Sequence, residues 1–446
     1  CPGAWSVIMA CPSFGSSSEV SLWYAVDPDP SAAIPDGSIV GNAFTWYGIP
    51  MTGESIAANL SSTISEQITS KRSYAGSKLS QGEVSGSFNY ECQASQFMYN
   101  MLLAAMQSTQ PLSFGSTQVA GSSGVVINAV GGTVNSSRTV TLTGLSALTG
   151  ATYTVRIDGE DFKFIAANTT LNDVATGLAA AINADPVYAA ASAGAVITIS
   201  AGAGLSDIEF DSYSVASWAP GEAVLNGSTK NCLVFLKRIL VGAAKYDYYL
   251  FRGVQIGSLS FEIQPSSLIT GTCNLMGVKP DVPLENVDQP TYWTFVEPPV
   301  KPLMSGVDSL RDFAIQTSAG VSSGVVMQSL SFTIDNQLRQ QQAVGINSPF
   351  AAGIASGRFM ASFSGSAYYA NPRIYNDFVQ DKELKIVGKL IDGDGDGLEF
   401  LADFVKVTQG GLPMAESPDQ DLLITTEFRA FESATNGTLK LTRISG

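Results

Sequence analysis

The sequence predicts a mainly-β chain in which one domain occurs twice and a small α+β module interrupts the first copy. Three observations carry this reading. A stretch near the front, NLSSTISEQI (Asn59 to Ile68), returns about 270 residues later as SLSFTIDNQL (Ser329 to Leu338). The composition sets 43 Gly against only 14% charged residues, the balance of β-rich structure with many turns. The segment from about 118 to 226 has no counterpart in the second copy and is rich in Ala, Gly, Thr and Ser. Two related domains on one chain present related surfaces in series, which points to stacking or ring closure.

The elements follow in order. Residues 1–45 carry Pro28, Pro30, Pro35 and Gly37, which break regular structure, so an extended arm is expected. Alternation then begins: Leu60, Ser62 and Ile64 share one strand face, and Ser61, Thr63 and Ser65 share the other. Val84 to Glu91 repeats it, with Val84, Gly86, Phe88 and Tyr90 opposite Ser85, Ser87, Asn89 and Glu91. The long polar loop between these strands, Thr69 to Gly82, is of a kind used for contact or left without order. From Ala94 to Met106 the period becomes helical, predicting an amphipathic helix on the sheet.

The second copy keeps this order, with strands at 325–338 and 355–368 and a helix near Asn371 to Val379. Ser87-Phe88 returns as Ser362-Phe363, Tyr99-Asn100 as Tyr375-Asn376, and Leu268-Ile269-Thr270 as Leu423-Ile424-Thr425. Within the insertion, Thr152 to Ile157 and Phe162 to Ile165 flank an Asp158-Gly159 turn. A helix with Leu171, Val174, Leu178 and Ile182 on one stripe follows, closed by Pro186, and then a strand from Val196 to Ser200. Insertions survive where the host loop faces solvent, so this module is expected on the outside. Six prolines between 280 and 303 predict a semi-extended linker. The chain thus divides into an arm (1–45), a first domain in two pieces (46–117 and 227–279), the insertion (118–226), the linker (280–303) and a second domain (304–446).

Composition bounds the function. With 24 basic and 39 acidic residues the formal charge is −15, and there is no histidine. That removes the commonest general base and transition-metal ligand. It also makes the chain a poor nucleic-acid binder, while suiting a surface that nucleic acid passes without sticking. No apolar run approaches the roughly 18 residues that cross a bilayer, so a soluble protein is expected. Cys1, Cys11, Cys92, Cys232 and Cys273 are too scattered for a disulfide framework; Cys92, Cys232 and Cys273 read as small buried hydrophobes of a reducing cytoplasm.

One local motif carries possible chemistry. Asp392, Asp394, Asp396 and Asp403 fall at positions 1, 3, 5 and 12 of a calcium loop, with Gly397 at position 6. The flanks read as strands rather than helices, and Asp-Gly runs also make tight hairpin turns. Both readings stand: a hairpin turn, or a site for Ca²⁺ or Mg²⁺. No phosphate loop, nucleophile elbow or other cofactor motif is present, and no catalytic residues are assigned.

The run GESIAANLSSTISEQITSKRSYAGSKLSQGEVSGSFNYE, with the following helix ending LLAAM, resembles the tail tube protein of long-tailed, siphovirus-like phages in its two-domain version. SLSFTIDNQL, GRFMASFSGSAYY and IYNDF match that pattern in the second half, and FRGVQIGSLSFEI before LITGT resembles the closing strands of the first domain. The likeness covers roughly 50–117 and 230–446. It implies two β-sandwich or barrel domains, each with a flanking helix. It further implies three chains giving six quasi-equivalent positions, rings stacked into a tube, and a conduit for DNA that catalyses nothing. Partners would be the chain itself, the tape measure, tail tip and terminator proteins, and passing double-stranded DNA. The place would be the virion tail, assembled in the host bacterial cytoplasm, with no membrane.

On this reading the polar strand faces would line a wet channel. The candidates are Ser61, Thr63, Ser65, Ser87, Asn89 and Glu91 in the first copy and Ser331, Thr333, Asp335, Ser362 and Ser364 in the second. For any one of them the alternative is an ordinary solvated sheet face. Lys71, Arg72 and Lys78, with Arg339 in the second long loop, would reach neighbouring subunits or rings; the alternative is a solvated charged loop. The competing reading of the whole chain is a multidomain β surface-array or adhesin-like protein whose insertion binds a host.

Overall fold

The computed structural model describes residues 19–27, 44–67, 76–109, 112, 118–119, 125–129, 137–142, 152–157, 160–167, 170–201, 210–216, 218, 221–242, 245–298, 300–317, 325–344, 348–369, 372–410 and 421–445. The first half opens with β1 (Val20–Val26), β2 (Phe44–Gly48), β3 (Met51–Glu54), β4 (Ala57–Ile64), β5 (Ser77–Glu91) and α1 (Gln96–Ala105). The insertion holds β6 (Gln118–Val119), β7 (Val125–Ala129), β8 (Ser137–Leu142), β9 (Thr152–Ile157), β10 (Glu160–Ile165), α2 (Leu171–Ile182), β11 (Tyr188–Ala193), β12 (Val196–Ala201) and β13 (Phe210–Ala216). The chain returns through β14 (Ala223–Leu225), β15 (Leu233–Gly242), β16 (Lys245–Ile263) and β17 (Thr270–Gly277). Connecting strands β18 (Lys279–Pro280), β19 (Leu284–Val287) and β20 (Trp293–Val296) lead to the second half. That half comprises β21 (Leu310–Thr317), β22 (Met327–Asp335), β23 (Arg339–Gln341), β24 (Gly353–Ala355), β25 (Met360–Tyr368), α3 (Arg373–Val379), β26 (Leu384–Ile391), β27 (Gly397–Gly410), β28 (Leu423–Ala430) and β29 (Lys440–Ile444). The fold is mainly β.

The two halves repeat one pairing scheme. In the first, β4 pairs with β5, β5 with β17, β17 with β16 and β16 with β15. In the second, β22 pairs with β25, β25 with β28, β28 with β27 and β27 with β26. In each half one long strand, β16 or β27, serves two layers. Its leading portion pairs with β15 or β26 and its trailing portion with β17 or β28, so the strand turns the corner of a sandwich.

The registers sort the repeats seen in the sequence. Thr270 pairs with Glu91 and Thr425 with Ser366, three residues past Phe88 and Phe363, so the Leu-Ile-Thr and Ser-Phe repeats are structural equivalents. The opening repeat is not. Ile334 pairs with Ala361, beside Ser362, whereas Ile64 pairs with Ser77, ten residues before Ser87. An alternating pattern recurs along any strand of a hairpin, so the likeness of NLSSTISEQI to SLSFTIDNQL does not fix its place. In the structure it lies on a hairpin arm that runs beyond the sandwich.

Three further expectations are corrected. The helix α1 is not amphipathic: every residue from Phe97 to Ala105 is buried. Its sequence is apolar on all sides, and β1 covers what a sheet alone would leave open, with Asn100 Nδ2 donating to Tyr24 Oη at 3.1 Å. The arm (1–45) therefore contains structure, since β1 pairs with β15 along its whole length; the remaining arm residues before 19 and from 28 to 43 lie outside the described residues. The linker is folded as well. Phe44–Tyr47 pairs parallel with Trp293–Val296, burying Trp23, Trp46, Tyr248 and Trp293 in a satellite core. The Arg238 guanidinium closes that core, 4.8 Å from the Trp23 ring centre and 4.9 Å from Phe295.

The insertion forms two four-stranded sheets around α2, whose Val174, Leu178 and Ile182 are fully buried. Thr170 caps the helix, its hydroxyl accepting from Asp173 N at 3.3 Å. The chain's last strand clamps the return from this module. β14 pairs with β29, Arg443 Nη1 donates to the Trp218 carbonyl at 2.6 Å, and Asn226 Oδ1 accepts from Thr438 N at 2.8 Å.

Candidate channel face and assembly edges

The halves are joined by a strand pair. Ser258 to Ile263 of β16 runs antiparallel to Leu330 to Asp335 of β22, so one sheet continues as β4–β5–β17–β16–β22–β25–β28–β27. Alternation gives this sheet two faces of opposite character. One carries Phe88, Tyr90, Leu259, Phe261, Leu330, Phe332, Ile334 and Phe363, all buried in a single core shared by both halves. Phe261 stacks on Phe332 across the seam at 5.8 Å, and Phe332 on Phe363 within the second half at 4.8 Å. Tyr90 passes over Gly271 to donate to the Ser260 carbonyl at 2.7 Å; a Cβ at 271 would meet that carbonyl at 2.1 Å.

The other face is a carpet of small polar side chains. Registers set Asn89, Thr272, Ser260, Thr333, Ser362 and Arg429 in one cross-strand row, and Glu91, Thr270, Glu262, Ser331, Ser364 and Glu427 in the next. These groups bond to one another along the sheet. Thr272 Oγ1 donates to Asn89 Oδ1 at 2.8 Å, Asn274 Nδ2 to Ser258 Oγ at 2.7 Å, and Ser331 Oγ to Glu262 Oε1 at 2.8 Å. With their hydrogen bonds turned sideways and the three carboxylates of Glu91, Glu262 and Glu427 against the Arg429 guanidinium, they offer little to a phosphate backbone.

Of the residues expected to line a channel, Ser87, Asn89, Glu91, Ser331, Thr333, Asp335, Ser362 and Ser364 come together on this face. Ser61, Thr63 and Ser65 do not. Ser61 and Thr63 pair with Gln81 and Lys78 on the β4–β5 arm, past the reach of β17, and Ser65 closes that arm by donating its N–H to Gly76 O. Ser258, Ser260, Glu262, Thr270, Thr272, Asn274, Thr425, Glu427 and Arg429 belong to the face and were missed. The same alternation in SLSFEI and TGTCN marks them, once those strands are known to lie between β5 and β22. Lys71 and Arg72 lie outside the described residues; Lys78 is exposed on the arm, and Arg339 starts β23.

The sheet ends in open edges. Among the described residues, β3 and β4 pair only with β5, and the stretch from Lys406 to Gly410 pairs only with β28. Open strand edges invite further strands.

The acidic loop is a hairpin turn. Ile391 pairs with Gly397, and Asp392 Oδ1 accepts from the N–H groups of Asp394 and Asp396 at 2.9 and 3.0 Å. Lys301 Nζ sits 2.8 Å from Asp396 Oδ2 and 3.5 Å from Asp394 Oδ2, supplying the positive charge an ion would bring. Asp403 is not brought to the turn. It stands six residues up β27, about 20 Å at strand rise, paired with Lys385 at 3.0 Å and hydrogen-bonded by Asn436. Burial works to raise its pKa, but those two partners outweigh it and hold the carboxyl low. No group of three or more metal-binding side chains forms among the described residues. Calcium or magnesium added to the folded protein is therefore expected to leave its melting temperature unchanged; a rise with calcium would restore the ion-site reading.

Burial disfavours the thiolate at the three cysteines among the described residues. Burial pushes Cys92 up to about 12 and Cys273 well above the usual thiol range. Cys232 is half-buried, where full burial was expected, and its pKa is also raised by burial.

The model of the phage tail tube protein family matches residues 235–430. That match supports a phage tail tube protein. The match starts in β15 and stops at the last residue of β28, so it crosses the seam between β16 and β22. No curated protein matches the chain. A phage tail tube protein is a structural component of the virion tail, and no helix among the described residues is long and apolar enough to cross a membrane.

Proposed function

We propose that this tail tube protein closes into three-membered rings, each chain giving two quasi-equivalent positions, and that the rings stack into a siphovirus-like tube. One observation carries the reading: a single sheet through both halves, apolar on one face and small and polar on the other, with both end strands open. Joining the Lys406–Gly410 edge of one chain to the β3–β4 edge of the next would satisfy backbone groups at both and close the sheet into a barrel. The Ser, Thr and Asn face would then line the lumen through which DNA and ejected proteins pass. Its partners are further copies of itself and other tail proteins such as the tape measure, tail tip and terminator. Assembly would take place in the host cytoplasm.

Electron micrographs of the purified chain test this: hollow filaments or rings, with threefold averages of sixfold appearance. A chain that stays monomeric and binds a host glycan or receptor would favour the adhesin-like reading. Glu91→Lys and Asp335→Lys are expected to leave tubes intact but slow genome release from particles carrying them, because each puts a phosphate-attracting cation in the lumen. Release at the unaltered rate would place these residues elsewhere.

A further inference from the structure

The β4–β5 arm carries an apolar stripe that stays half exposed. Leu60, Ile64 and Leu79 are 53%, 51% and 57% exposed, yet they share the strand face on which Val84 is fully buried. The equivalent arm of the second half, described over residues 336–344 and 348–359 with its β23–β24 pair, is laid down on the first half. Pro349 O accepts from Gly82 N at 2.7 Å, and the Phe350 ring fills the place where a Cβ on Gly82 would come within 2.6 Å of it. Asn336 Nδ2 donates to the Ala105 carbonyl, at the end of α1, at 2.9 Å. Gln107 Nε2 donates to Ser356 Oγ at 2.8 Å and Lys230 Nζ to Ile354 O at 2.9 Å, leaving Ala351 and Ile354 buried.

The second half has the corresponding seat, and it is open. Gln107 and Asp381, just past α1 and α3, both take the left-handed backbone, with φ 47° and 48°, so the two helix ends superpose in sequence. Where the first half has buried Ala104 and Ala105, the second has Phe378 and Val379, 37% and 64% exposed. One chain therefore holds an apolar arm whose stripe stays half exposed and an apolar helix end without an arm, in the relation that is filled inside it. Their separation follows from the order of halves: only the second half's arm has a first half behind it in the same chain.

We propose that the stripe of Leu60, Ile64 and Leu79 seats on Phe378 and Val379 of a second copy of this chain, repeating between chains the contact made within one. This rests on the assembly proposed above. The test uses the full chain, alone and as Ile64→Glu and Val379→Glu, in sedimentation and electron micrographs. The unaltered chain is expected to assemble. Each variant, with an unchanged melting temperature because both sites are exposed, is expected to give at least tenfold less assembled material. Ile64→Cys chains mixed with Val379→Cys chains are expected to form a disulfide dimer that neither forms alone. Unaltered chains that assemble while both variants do so equally, with no mixed dimer, would overturn the docking and leave the tube reading in place. Unaltered chains that never assemble would overturn that reading and this contact with it.

Discussion

Phe332→Ala is expected to destabilise the chain by about 3–5 kcal/mol, the range for deleting a buried aromatic ring. The ring is 2% exposed, on the first strand of the second half to meet the first. It stacks on Phe261 across the seam, and on Phe363 and Phe400 within its own half, with centroids 5.8, 4.8 and 5.6 Å apart. A cavity there removes contacts from three rings at once, and a seam with backbone bonds on both sides cannot collapse freely to fill it. Leucine at 332 keeps most of the volume and should lose less than half as much. Urea denaturation of the two variants beside the parent chain measures both. A loss for alanine below about 1 kcal/mol would mean that the halves do not share a core at this ring. The experiment also bears on function, since the seam that Phe332 holds is the one proposed to recur between chains.

How much of this was legible beforehand depends on what each residue's neighbours reveal. Phe88, Tyr90 and Ser87, Asn89 could be assigned to opposite faces because period-two alternation is local and needs no partner. The pairing of β16 with β22 could not be read, because register lies between segments some 70 residues apart and nothing local encodes it. That is why Ser258, Ser260 and Glu262 were visible as a strand but not as the centre of the polar face. The burial of α1 was missed for a related reason: Leu102 and Leu103 look alike in sequence whether one sheet or two layers cover them. Trp23 and Tyr24 in β1 were hidden by prolines downstream, which break the pattern on which an isolated seven-residue strand depends. The Asp-Gly loop shows the reverse case. The ligand spacing was right at four positions, but spacing counts along the chain, and a straight strand carries Asp403 away from the turn where a helix would have wrapped it back.

Asp27→Ala is expected to cost about 3–5 kcal/mol, because it leaves a buried guanidinium without its counter-charge. Asp27 and Arg252 are both at most 1% exposed in their side chains, and Arg252 Nη2 lies 2.9 Å from Asp27 Oδ1. The second carboxylate oxygen accepts from Gly253 N at 3.0 Å, where β16 turns through a left-handed glycine with φ 61°. One aspartate thus anchors the end of β1 to the bend of the strand that serves both layers, and β1 in turn covers α1 through Tyr24. Removing the carboxylate forfeits the ion pair and a backbone bond together, whereas Asp27→Asn keeps the shape and loses the charge, so it should fall between alanine and the parent. The decisive variant is the double one. Replacing a buried pair by apolar residues of like volume is often neutral, so Asp27→Leu with Arg252→Met should recover most of what Asp27→Ala loses. Urea midpoints for the single and double variants give the coupling energy between the two positions. A coupling below about 1 kcal/mol would show that the pair does not hold β1 in place, and the cover over α1 would then have to rest on the Tyr24 side chain.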